Sequence, residues 1–206
     1  MADLTRWMEK LVARIPSEPE SIIQDELVSV IKDFCREGKP WRVRLDGYNT
    51  VAGQATVAIN PVDADSKCID ILKAFYKSNE LGQAAYRVHT PADGSPIGFT
   101  CPTPDVITLI PTPSTSETGV LDVYVALVPL DPATFVPDFF VTHHFEAILD
   151  GTLGQFYNQP MKPFHDRELA KYHLRRYRNK TREASDMAGR GYTPSAQDWA
   201  FPRFGA

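Results

Sequence analysis

Cysteine is scarce in this chain. Cys35, Cys68 and Cys101 are odd in number and show no CxxC spacing. A disulfide framework, a zinc ribbon and a thioredoxin-type redox motif therefore do not organise the sequence, and three reduced thiols are expected. Long apolar runs are missing too. No stretch approaches the roughly 18 apolar residues that span a membrane. The first ten residues, MADLTRWMEK, lack the apolar core of a secretory signal. The expectation is a soluble protein made in the cytoplasm, with no membrane partner. Large net charge is also absent. A formal charge of −4 over 206 residues argues against a polyanion binder acting through overall charge. Neither a GxSxG elbow, a P-loop nor a GxGxxG fingerprint is present. No internal repeat and no low-complexity stretch is found.

What is there fits an ordinary globular chain. The length allows one domain, or one domain with a large insertion. Hydrophobic residues make up 43% and charged residues 23%, which is usual for a chain with a packed core. Proline is plentiful, 17 against 12 glycines. The prolines cluster at segment edges, which suits a β-rich part with stiff connections.

The first strong pattern is a helix over Glu18 to Glu37. Ile23, Leu27, Val30, Ile31 and Phe34 recur on one face. Ser17 is the predicted N-cap with Glu20 at capping-box spacing, and Gly38 is the predicted C′ stop before Pro40. Trp7, Met8, Leu11 and Val12 form a short apolar lead-in of a helical turn or two. From Trp41 onward the pattern changes to strands. Candidates are Trp41 to Leu45, Ala55 to Ile59, Ile69 to Tyr76, Ala85 to Val88, Val106 to Ile110 and Val120 to Val128. The polar segment Pro111 to Gly119 reads as a hairpin connection. Short strands at such spacing predict a small antiparallel sandwich or barrel.

The last 70 residues carry most of the information. A helix is predicted over Pro137 to Tyr157, with Pro137 at N1 and a stripe of Val141, Phe145, Ile148, Leu149, Thr152 and Phe156. Ala147, Gly151 and Gly154 share another face. Mid-helix glycine costs about 0.8–1 kcal/mol relative to alanine, so these glycines imply close approach of a neighbouring element. A proline-rich elbow, Asn158 to His165, leads to a second helix capped by Asp166 and running to Ala188. Its seam of Ala170, Leu174, Tyr177, Thr181, Ala184 and Ala188 suits packing against one other helix. From Arg167 to Arg182 there are seven basic residues and one acid, a net of +6, which leaves −10 for the rest of the chain. Lys171, Arg175, Arg178 and Arg182 form a basic stripe. It reads as a solvated face, as a face paired with an acidic neighbour, or as a sequence-independent contact to DNA phosphates. The tail from Arg190 carries Tyr192, Trp199, Phe201, Arg203 and Phe204. These aromatic and arginine residues have no core of their own and are of the types that anchor interfaces.

Together these elements predict an α+β chain. Residues 1–40 and 134–189 form a discontinuous helical bundle, residues 41–133 an inserted antiparallel β-sandwich or barrel-like domain, and residues 190–206 an extended docking tail. Candidate chemistry is thin. His143, His144, His165 and His173 invite a metal site, and a metal-assisted hydrolase using His143, His144 and His165 is one alternative function. Adjacent helical residues point about 100° apart, however, and no HExxH pattern is present. Asp63 and Asp65 resemble the opening of a calcium loop but lack its glycine and closing glutamate. Asp93 to Pro96 and Gly98 to Thr100 read as turns between strands. No metal, cofactor or catalytic residue is predicted.

The residues nevertheless form a recognisable series. A helix ending Asp33-Phe34-Cys35-Arg36-Glu37 leads to Trp41 and a β region closing in Val128-Pro129-Leu130. Val136-Pro137-Asp138-Phe139 and Glu146-Ala147-Ile148-Leu149-Asp150-Gly151-Thr152-Leu153 follow. Pro160-Met161-Lys162-Pro163-Phe164 and Glu168-Leu169-Ala170-Lys171-Tyr172 complete it. This series resembles the head-to-tail adaptor (connector, or head-completion) proteins of tailed bacteriophages, with Phe164 standing where a tryptophan is usual. The resemblance implies a non-enzymatic virion protein at the capsid–tail junction. It would form a homo-oligomeric ring, typically a dodecamer, beneath the portal protein. That ring would continue the channel for genomic DNA and offer a surface to tail tube or other neck proteins. On the same resemblance Tyr192, Trp199, Phe201, Arg203 and Phe204 would dock on the portal or a neighbouring subunit. Lys171, Arg175, Arg178 and Arg182 would face a neighbouring subunit or the channel.

Overall fold

The computed structural model of the protein describes residues 2–61, 65–84, 93–131, 133 and 135–191. The chain opens with a short strand β1 (Ala2–Asp3) and two helices, α1 (Thr5–Arg14) and α2 (Glu20–Gly38). A strand region follows: β2 (Arg42–Thr50), β3 (Thr56–Ala58), β4 (Ser66–Tyr76), β5 (Asn79–Glu80), β6 (Gly82–Gln83) and β7 (Asp93–Gly94). It continues through β8 (Gly98–Thr103), β9 (Val106–Ile110), β10 (Thr112–Pro113), β11 (Glu117–Pro129) and β12 (Phe135–Val136). Helices α3 (Asp138–His143), α4 (Phe145–Tyr157) and α5 (Arg167–Gly189) complete the described chain. The protein is thus a mixed α+β chain. Among the described residues no helix is long and apolar enough to cross a membrane.

Two four-stranded sheets dominate the middle. One has the order β2-β11-β4-β5 and is antiparallel. The other has the order β3-β9-β8-β6, with β6 and β8 parallel and the other pairs antiparallel. Neither closes into a barrel. In β9 Ile107 and Leu109 point inward while their neighbours are half-exposed, the alternation of a sheet with one buried face. β11 begins the same way with Leu121 and Val123 inward. Its last five residues, Val125 to Pro129, are buried without alternation. Helix α2 packs against β11, so both faces of that end are covered and the period of two disappears.

Several expectations are corrected here. Pro111 to Gly119 is not a hairpin connection. β9 and β11 lie in different sheets, so the segment carries the chain from one sheet to the other. Gly98 to Thr100 is not a turn but the start of β8, where Phe99 is buried. Its neighbouring glycine and prolines hid it. The candidate strand Ala85 to Val88 lies outside the described residues. α2 starts at Glu20 with Pro19 as N-cap and no side-chain cap, so Ser17 does not cap it. Gly38 is still helical and Lys39 takes the left-handed conformation instead (φ 45°). The glycine is favoured by tight packing. A Cβ on it would sit 3.2 Å from the Thr181 carbonyl oxygen of α5.

The predicted helix over Pro137 to Tyr157 is two helices. Pro137 is the N-cap of α3 rather than N1, and the chain breaks at His144 (φ −121°, ψ 10°). His144 accommodates the break by serving both sides. Its N–H donates to Phe140 O at 3.0 Å and its carbonyl accepts from Ile148 N at 3.1 Å. Its ring is buried against Phe34, Phe139 and Phe140. In the predicted stripe Ile148, Leu149, Thr152 and Phe156 are buried, whereas Val141 and Phe145 are only partly so.

Helices from both ends of the chain pack together. α4 lies against α5 and α2; α1 packs on α2 and α4. Trp7 of α1, fully buried, donates its indole N–H to Phe145 O at 3.0 Å and stacks on the Phe145 ring at 5.3 Å. β1 pairs with β12, Ala2 opposite Val136. One continuous hydrophobic core joins the helices to both large sheets. Trp41, at the passage into β2, meets Phe140 edge-on at 6.2 Å.

Candidate functional site

The α4–α5 contact concentrates the polar chemistry of the molecule. Asp166 caps α5, its carboxylate accepting from Glu168 N at 2.9 Å and Leu169 N at 3.0 Å. The elbow folds back on α4. His165 Nδ1 and Asp166 N both lie in hydrogen-bond range of Tyr157 O, and Phe164 meets Phe156 edge-on at 6.0 Å. Lys162 pairs with Glu18 at 2.7 Å, tying the elbow to the loop before α2.

α4 is buried on almost all sides, from Ala147 through Gly154 without interruption. The glycines make this possible. A Cβ on Gly151 would stand 2.6 Å from Val30 Cγ1 and 2.8 Å from the Tyr177 ring. On Gly154 it would meet Leu174 Cγ and Cδ2 at 2.8 Å and the Leu174 backbone nitrogen at 3.1 Å. Ala147 is buried beside them. On α5 the seam residues Ala170, Tyr177, Thr181, Ala184 and Ala188 are buried and Leu174 partly so.

Within this interface sits a carboxylate that the sequence pattern did not single out. Asp150 is 4% exposed at its side chain. One oxygen lies 2.9 Å from His173 Nδ1; the other receives Lys180 Nζ at 3.0 Å and Arg176 Nε at 3.2 Å. Glu146, one turn earlier, adds longer pairs to Arg176 and Lys180 at 3.7 and 3.8 Å. Arg176 also donates to Tyr172 Oη at 3.1 Å, and that bond, with Asp150 second, holds its guanidinium above the ordinary range. A buried carboxylate is tolerable only when its lone pairs are met by donors; here three donors meet it. The signal available in the sequence was an acid placed between Leu149 and Gly151 in an otherwise apolar run.

Beyond Arg167, exposed in the first turn, the six other cations of α5 divide into two groups. Arg176 and Lys180 face inward and neutralise Asp150. Lys171, Arg175, Arg178 and Arg182 face outward and are exposed. Lys171 pairs with Glu168 at 2.8 Å. Among the described residues Arg175, Arg178 and Arg182 have no carboxylate partner. Arg178 and Arg182 line a shallow depression shared with Glu37. Leu169 and Tyr172, also on α5, are 42% and 55% exposed.

The histidines do not converge. His173 is buried on Asp150 and stacks on Tyr157 at 5.7 Å. His165 is exposed at the elbow, and His143 is exposed at the end of α3. His144 is enclosed by phenylalanines, and burial, helped by the adjacent His143, pushes its pKa down to about 4. Among the described residues no three His, Cys, Asp or Glu side chains are arranged to hold a metal ion. Asp63 lies outside the described residues. Burial raises the thiols as well, Cys68 and Cys101 to about 11 and Cys35 further.

A groove of about 670 Å³ opens on the other flank of the bundle, between α1, the start of α2 and β12. Its floor is Leu4, Met8, Val12 and Phe135, and its rim carries Asp3, Glu9 and Glu20 with no cation among the described residues. The sequence reading missed this groove, because it joins segments more than a hundred residues apart. Tyr192, Trp199, Phe201, Arg203 and Phe204 lie outside the described residues. No protein-family model and no curated protein matches this chain.

Proposed function

We propose that the chain is a structural, non-enzymatic subunit of a homo-oligomeric ring, a head-to-tail adaptor in the virion of a tailed bacteriophage. The ring, twelve-fold in the proteins the sequence resembles, joins the portal protein above to tail or neck proteins below. Genomic DNA passes through its channel. The element series from the helix ending Asp33–Glu37 through the Pro160–Phe164 elbow to α5 supports this reading. The observation that carries it is the division of charge on α5. Two cations are consumed inside the subunit, whereas Arg175, Arg178 and Arg182 are left outward on a 23-residue helix in a chain of net charge −4. A row of cations without a carboxylate partner among the described residues, on an otherwise acidic body, suits oriented packing in a closed ring. In this reading the aromatic tail, residues 190–206, docks on the portal.

Native mass spectrometry tests it. The full chain is measured alone and mixed with the candidate portal ring, with and without residues 190–206. A discrete complex of portal plus about twelve copies, lost on truncation, supports the proposal. A chain that stays monomeric and ignores the portal refutes it.

A further inference from the structure

Two outward surfaces of the subunit are complementary to each other. α5 presents Lys171, Arg175, Arg178 and Arg182 over a length of about 16 Å, with Leu169 and Tyr172 exposed on the same helix. The groove at α1 presents the opposite character. Among the described residues its rim holds Asp3, Glu9 and Glu20 and no cation, over a floor of Met8, Val12 and the half-exposed Phe135. Among the described residues neither Glu9 nor Glu20 forms an ion pair, and the same is true of Arg175, Arg178 and Arg182. α1 and α5 each pack on α2 and α4, and no substantial packing joins them to one another. The two surfaces therefore flank the α2–α4 pair, and one subunit cannot close them upon itself.

We infer that the outer face of α5 in one copy of this chain seats in the α1–α2 groove of the next copy. The contact is heterologous, because the two patches differ. Repeated with a fixed rotation, it closes a ring. The arginines meet the carboxylate rim while Tyr172, at the edge of the basic stripe, reaches the apolar floor. Charge complementarity selects this register and disfavours the like-charged pairings of α5 with α5 or groove with groove. The inference rests on the proposed ring and adds the surfaces that build it.

A charge swap in the full-length chain tests it. R175E/R178E reverses the helix face, E9K/E20K reverses the rim, and a fourth protein carries all four substitutions. All four positions are exposed, so far-UV circular dichroism and melting are expected to match the wild type. Assembly is read by sedimentation and native mass spectrometry, alone and on the candidate portal ring. The wild type should assemble. Each reversal should weaken assembly by about tenfold or more, and the combined protein should recover it. Rings that survive either reversal, or a combined protein that does not recover, overturn the interface and leave the ring reading standing. A wild type that is monomeric under both conditions overturns the interface and the ring together. Loss of random-sequence duplex binding by R175E/R178E with intact rings would assign the strip to DNA and overturn the inference.

Discussion

Replacing Asp150 with asparagine should be the most damaging near-isosteric change in the helical bundle. The carboxylate is almost fully buried and meets His173, Lys180 and Arg176 at 2.9, 3.0 and 3.2 Å. Asparagine keeps the shape, but its amide nitrogen sets a donor against one of those donors. The cations then lose the negative charge that held them. Removing one partner of a buried pair costs about 3–5 kcal/mol. Here Lys180 and Arg176 are 27% and 39% exposed and can turn toward water, so a loss of about 2–3 kcal/mol is expected. Lys180→Met should cost less, about 1 kcal/mol, because Arg176 and His173 still satisfy the carboxylate. Urea unfolding followed by circular dichroism gives both values, and the double variant gives a coupling of about 1–2 kcal/mol. An Asp150→Asn protein within about 0.5 kcal/mol of wild type, a difference usual for surface changes, would refute this account of the α4–α5 contact.

Gly154→Ala should destabilise by about 1–2 kcal/mol. The gain in helix propensity, about 1 kcal/mol, is outweighed by overpacking, because the Leu174 backbone nitrogen cannot turn aside. Gly189→Ala, with nothing within 4 Å of its Cβ, is the control and should be neutral or slightly stabilising; equal stability of the two variants in urea would contradict the packing account. Asp166→Ala removes an α5 cap that accepts two backbone N–H bonds and should cost about 1 kcal/mol, read as a shift in the thermal midpoint. His144 carries a pH dependence. Its folded pKa, about 4, lies below the ordinary 6.5, so the unfolded chain takes up the proton first. Its contribution is complete above about pH 6.5 and falls as the pH drops toward 4, by at most about 3 kcal/mol. His144→Gln should flatten that part of the stability–pH curve, and an unchanged slope would count against burial of the neutral ring.

Legibility in the sequence followed the range of the interaction. α5 was readable from Asp166 to Ala188 because cap and seam are both local. β9 was readable because β-branched residues alternate between prolines. The α+β class followed from the change of period at Trp41. The break at His144 was not readable, since it depends on a phenylalanine cage that includes Phe34 from α2. The role of Gly38 was misassigned for a similar reason: its neighbour Thr181 is far away in sequence. Pro111 to Gly119 misled because proximity in sequence favours a hairpin, whereas the strands it joins find partners in separate sheets. In the candidate site the outward stripe of α5 was visible from spacing. The sorting of Arg176 and Lys180 onto Asp150 was not, because periodicity gives the face of a helix but not what stands opposite.

The meeting of the two chain ends also sets a schedule for biosynthesis. α2 is complete at Gly38, yet α4, which covers part of its apolar face, begins at Phe145. At ribosomal speed that interval is on the order of 10 s. Over it, Ile23, Leu27, Ile31 and Phe34 have only α1 and the emerging strands for shelter. The bundle therefore cannot form vectorially from the N-terminus. It is a late event, triggered when the final third of the chain leaves the ribosome, and the nascent chain before that point is a natural client for chaperones.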